Sequence, residues 1–154
     1  MRRHLASVLA IAVGVACGDA TGPVTVAGTY TLQTVGESGL PLLYGTWSDM
    51  EIVDGELIGV DNTLDLTSGT LRFDRDATFA ATHVYRTTGI SYSLDTGEPV
   101  DTAVTTDPVT DSGTFTVTGT SVQMTFSDGT AYTGSLSGDL FTISWDGVGW
   151  VYGR

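Results

Sequence analysis

The run SGTFTVTGTSVQMTFSDGTAYTGSLSGDLFTISW, residues 112–145, decides the fold class. In TFTVTG (114–119), Phe115 and Val117 face one way and Thr114, Thr116 and Thr118 the other. SVQMTF (121–126) sets Val122, Met124 and Phe126 against Gln123 and Thr125. AYTGSL (131–136) puts Tyr132, Gly134 and Leu136 on one side, and LFTISW (140–145) puts Phe141, Ile143 and Trp145 inward. Alternation with period two marks a strand with one buried and one solvated face. The breaks are SDGT at 127–130 and SGD at 137–139, and Asp146-Gly147 precedes a last strand, VGWVYGR. Asp-Gly between alternating runs is a strong hairpin signal. Gly134, small among bulky neighbours, suits a bend at a barrel corner.

The front half follows the same rule less regularly. GTYTLQTV (28–35) places Tyr30 and Leu32 on one face, and further runs fall at about 41–47, 50–60, 63–73 and 77–87. In the last of these Phe79, Ala81, His83 and Tyr85 share a face. ISYSL and VDTAV alternate around DTGEP, so 88–108 reads as a protruding hairpin placed to overhang the end of a barrel beside Tyr85. Asp49, Glu51, Asp54 and Glu56 read as edge and turn charges that block sheet-to-sheet association. From Ala27 onward no stretch has helical period, and the chain carries 26 threonines, a residue enriched in strands. Eight to ten short antiparallel strands must close or stack. Hairpins nearly everywhere favour a single antiparallel up-and-down β-barrel over residues 27–154.

The other end of the chain is built differently. Residues 1–16 have a basic start (Arg2, Arg3, His4), an apolar run from Leu5 to Val15 and small residues Gly14 and Ala16, the layout of a secretory signal peptide. GVAC at 14–17 leaves two readings open: an ordinary secretory cleavage site, or a lipobox cut at the same bond with Cys17 linked to diacylglycerol. The motif resembles the bacterial lipobox, with Gly14 where Leu is usual. Cys17 is the only cysteine, so it has no internal disulfide partner, and a lone exported thiol at the first mature position favours lipidation. Gly18 to Val26 then reads as a flexible tether. Export and lipid anchoring in the cell envelope follow, and Gly18 after the cysteine, by resemblance to the known sorting preference, favours the outer membrane.

Two segments carry a family resemblance. GTYTLQTVGESGLPL (28–42) resembles the opening strand and first loop of bacterial lipocalin-like lipoproteins, and 112–143 is similar to their consecutive hairpins. In the wider lipocalin superfamily a G-x-W on the first strand packs against an arginine from the last. The resemblance implies that Gly28 and Tyr30 occupy these positions, with Tyr for Trp, and that Arg154 closes the barrel over Tyr30.

Chemistry-bearing residues are few. His83 is the only histidine after the leader, and no G-x-S-x-G occurs, so a catalytic triad lacks nucleophile context and base. One histidine without clustered ligands makes no zinc site. FDRDATF (73–79) starts like a calcium loop but has Phe79 where the sixth-position glycine belongs. Without lysine there is no phosphate-cradling loop and no Schiff base. With 18 acidic residues against six arginines, two of them in the leader, the chain repels nucleic acid. No enzyme activity, cofactor or metal is expected. A small integral outer-membrane barrel is disfavoured by short strands and Thr-rich outer faces.

Tyr30, Phe73, Phe79, Tyr85, Phe115, Phe126, Tyr132 and Trp145 are expected to point inward. A barrel of this size is just wide enough to be filled by side chains or to hold one small ligand. Two functions follow. In the first, a lipid-anchored barrel binds a small apolar or amphipathic molecule at Phe79, His83, Tyr85 and Trp145. In the second, the core is filled and the protein is a structural or protein-interaction lipoprotein, its partner not readable from sequence.

Overall fold

The computed structural model describes residues 25–154, so the expected leader, Cys17 and most of the expected tether lie outside the described residues. Ten strands follow one another: β1 (Gly28–Val35), β2 (Ser38–Gly39), β3 (Leu42–Val53), β4 (Glu56–Phe73), β5 (Thr78–Ser93), β6 (Pro99–Thr118), β7 (Ser121–Phe126), β8 (Ala131–Ser137), β9 (Leu140–Trp145) and β10 (Val148–Gly153). Every pairing is antiparallel between β4 and β10 in chain order, and β1 closes the ring by pairing with β10 on one side and β4 on the other. The result is an all-β, up-and-down barrel of eight strands, with β2 and β3 as additions.

The alternation that decided the fold class is realised residue by residue. In β7, β8 and β9 the buried positions are Val122, Met124, Gly134, Leu136, Phe141 and Ile143, with polar neighbours exposed. Asp146 and Gly147 both take positive φ, 51° and 81°, the two-residue turn that matches strand twist. Phe73 stands edge-on to Tyr30, Phe115 and Phe141 at centroid distances of 5.8, 4.8 and 5.2 Å, geometry that aromatic pairs prefer. With Leu66, Leu71, Met124 and Ile143 these rings fill the barrel centre. Gly134 has a different role from the expected bend. The β7–β8 and β8–β9 registers run straight through it, and a Cβ at this position would enter the ring of Phe141. Glycine is there to admit a large ring.

Strand breaks in the front half differ from those expected. The turn between β3 and β4 is Asp54-Gly55, with φ of 51° and 88°, inside the run taken as one strand at 50–60. The polar clusters Ser48-Asp49 and Asp61-Asn62, which look like breaks, face each other across β3 and β4 instead. Ser48 Oγ donates to Asp61 Oδ1 at 2.6 Å and Asn62 Nδ2 to Asp49 Oδ2 at 3.3 Å.

The long strands also outrun the barrel. β3, the first half of β4, the end of β5 and the start of β6 stay paired beyond it, through Ile58↔Ser93 and Ser91↔Asp101, as a four-stranded extension. The protruding hairpin expected at 88–108 is present as the β5–β6 end of this extension, paired on its β5 side to β4. Asp49 and Glu51 lie on its β3 edge and Asp54 in its turn; on the β6 edge Pro99, Asp101, Asp107 and Pro108 discourage further pairing.

At the opposite end the chain enters the barrel. Arg154 Cζ lies 4.6 Å from the centroid of the Tyr30 ring, and its terminal nitrogen is 2.9–3.0 Å from the carbonyl oxygens of Thr25, Val26 and Ala27. Gly28 beside it takes φ 147°, a conformation that side-chain-bearing residues rarely adopt, and a Cβ there would crowd the guanidinium at 3.2 Å. Val26 is buried and its carbonyl accepts a hydrogen bond from Tyr30 Oη at 3.0 Å. Thr25 and Val26, the end of the expected tether, thus belong to the packed domain.

Candidate functional site

On β5, side chains at 81, 83 and 85 face into the barrel end from which the extension leaves. His83 pairs across from Gly69 of β4, where a Cβ would stand 2.8 Å from His83 Cδ2, so only glycine lets the imidazole lie flat against that strand. His83 is 6% exposed. Its Nε2 is 2.8 Å from Tyr152 Oη, and the rings of Trp145 and Trp150 stand 5.5 and 5.0 Å away. Burial pushes the imidazole below its ordinary pKa, with Asp111 opposing. Burial, reinforced by Tyr85, pushes the Tyr152 phenol well up. Both groups are therefore neutral at neutral pH, and a protonated phenol can donate to an unprotonated Nε2. This hydrogen bond ties His83 on β5 to Tyr152 on β10 beneath what lies above it.

Above His83 the barrel end opens into a cavity of about 260 Å³. One wall is Tyr85 with Tyr44 edge-on at 5.5 Å; another is Phe126 with Tyr132 at 5.7 Å; a third is Trp145 with Trp150 at 4.9 Å. Trp145 Nε1 is buried without a hydrogen-bond partner. Three carboxylates complete the lining: Asp111 from β6, Asp128 from the β7–β8 turn and Asp146 from the β9–β10 turn. Asp128 accepts from the Thr130 N–H at 2.8 Å, which holds its carboxyl below the usual range. Arg86, next to Tyr85 in sequence, faces the other side of the sheet and pairs with Asp65 at 2.7 Å. Among the described residues no group of three or more potential metal ligands is gathered.

Of the residues singled out from sequence, His83, Tyr85 and Trp145 meet at this cavity and Phe79 does not. Alternate residues along a strand are about 7 Å apart, so a face running from 79 to 85 spans about 20 Å. Phe79 consequently sits deep in the barrel, 5.0 Å from Phe126, as core. Tyr30 and Arg154 lie together at the opposite end, and Cys17 is outside the described residues. Sequence reasoning gave no place to Trp150 and Tyr152, although GWVYG alternates, and both face inward. Tyr44 and Asp111 carried no signal: a bulge between Leu43 and Gly45 sets the first, and the second stands on an otherwise exposed edge. Comparison with protein-family models, curated proteins and solved structures finds no match to this chain.

Proposed function

We propose that the protein is a lipid-anchored protein of the cell envelope, in the outer membrane, whose lipocalin-like barrel holds a small amphipathic ligand at its end. The ligand occupies the cleft over His83 and not a central calyx, because the centre is filled by Tyr30, Phe73, Phe79 and Phe141. The observation that carries this reading is the convergence of Tyr85, Tyr132, Trp145 and Trp150 on one cavity reaching solvent. A concave, largely aromatic site with a few polar groups is the common design of small-molecule pockets. Anchoring rests on Cys17 following the apolar leader. Seven residues separate Cys17 from Thr25, a reach over eight Cα–Cα steps of at most ~28 Å, and the chain enters the barrel at the end away from the cleft. Such an anchor attaches the domain by the end opposite the cleft.

The test is binding of N-phenyl-1-naphthylamine, a neutral apolar fluorophore, to the full chain in non-ionic detergent. Enhancement should be saturable in the wild type and lost in Tyr85→Ala, with both melting cooperatively. Equal binding by Tyr85→Ala, or none by either, contradicts the proposal. A filled-barrel interaction module is the second reading, favoured by the extension. On one of its faces Met50 and Ile52 are 72% and 75% exposed, beside exposed Leu57, Ile90 and Val104, the kind of apolar patch that marks protein contacts.

A further inference from the structure

The cleft has an aromatic wall and an acidic rim, and this combination bears on what it holds. Asp111 on β6 and Asp128 and Asp146 in two separate turns come from three parts of the chain yet line one cavity. No arginine is among the lining residues, the chain has no lysine, and Arg86 is turned away by its pair with Asp65. An anionic ligand would meet three carboxylates with no compensating cation. A cation meets complementary charge from the rim and can lie over the electron-rich faces of Trp145, Trp150, Tyr85 and Tyr132, and aromatic cages are a recurrent way of binding quaternary ammonium groups.

Resting on the reading of the cleft as a binding site, we propose that its ligand carries an organic ammonium group, seated between the tryptophan pair and the Asp111 and Asp146 carboxylates. The volume of about 260 Å³ suits a compact head group more than a whole lipid. His83 is tied to Tyr152 beneath the cleft and, held neutral by burial, adds no competing positive charge. The ammonium could come from a free amine or from the head of a longer amphiphile. The shared chemistry is the cation.

The test uses the full chain in non-ionic detergent, followed by Trp fluorescence and calorimetry. The probes are choline, its neutral isostere 3,3-dimethyl-1-butanol, and dodecyltrimethylammonium below its micelle concentration. Choline should bind about tenfold or more tightly than the isostere. Asp111→Asn lies on an exposed edge, and Asp146→Asn suits the positive φ of its turn, so both variants keep the fold. Each should weaken choline about fivefold, the effect of losing one unit charge about 4 Å away in a water-like medium. Tighter binding of dodecyltrimethylammonium than of choline assigns the ammonium to an amphiphile, and equal binding to a free amine. If the isostere matches choline, or both Asn variants bind choline like the wild type, the cation proposal is overturned while N-phenyl-1-naphthylamine binding still upholds the cleft. If none of these probes binds, both fail together.

Discussion

Arg154→Ala removes the clasp that joins the last residue to the first described ones. The guanidinium stacks on Tyr30 and its terminal nitrogen reaches three carbonyl oxygens, of Thr25, Val26 and Ala27. That nitrogen has two hydrogens, so at most two of the three contacts are full hydrogen bonds at once. Each charge-assisted bond contributes ~1.5–3 kcal/mol where desolvated, discounted here because part of the site faces water. The stacking on Tyr30 adds ~0.5–2 kcal/mol. The variant should lose ~2–4 kcal/mol in urea unfolding, a drop of roughly 10 °C in Tm for a domain of this size. Burial raises the Tyr30 pKa, and the Arg154 guanidinium over its ring opposes that shift. In a Tyr30→Leu background the loss on truncating Arg154 should shrink by ~0.5–2 kcal/mol, the coupling expected of a direct contact. Limited proteolysis should at the same time open the chain near Ala27. A loss below about 0.5 kcal/mol, or additive effects in the cycle, would refute the clasp.

His83 makes stability depend on pH. Its pKa in the fold lies below the ordinary 6.5, so its contribution is fully present above that value and is lost as pH falls towards the folded pKa. Urea melts from about pH 7.5 to about pH 5.5 should show a fall that His83→Gln flattens; Asp111, the charged group facing it, limits the effect. Identical slopes in the two proteins would exclude His83 as the cause. Gly134→Ala should cost ~1–3 kcal/mol or more by overpacking against Phe141, and an unchanged urea midpoint would contradict that role. Cys17→Ser should abolish labelled-palmitate uptake in a lipoprotein-exporting host, and equal labelling of the variant would sink the anchor.

How much was legible depended on whether local pattern and tertiary role agreed. From β7 to β9 the strands are short, each has one face in the core, and Asp-Gly and Ser-Gly-Asp turns punctuate them. Local and global signals therefore coincide there. In β3 and the first half of β4 the sheet leaves the barrel core and most residues of both faces meet solvent, so alternation no longer tracks burial. Ser48, Asp49, Asp61 and Asn62 are then indistinguishable in sequence from turn residues, although they bond across the sheet. At the cleft, His83, Tyr85 and Trp145 were legible because each continues a core-facing pattern. Tyr44 and Asp111 were not, because only closure of the barrel brings β3 and the β6 edge to the same opening. Phe79 shows the converse limit: periodicity assigns a face of the sheet, while depth in the barrel depends on register.

The central claim, that this barrel end and not its centre binds a small molecule, is tested most directly by native mass spectrometry of the full chain extracted gently from its own envelope. The wild type should carry a small adduct that fragments to an ammonium-bearing ion, and the double variant Tyr85→Ala, Trp145→Ala should fly without it. Bare protein from both preparations, or the same adduct on both, would contradict the account.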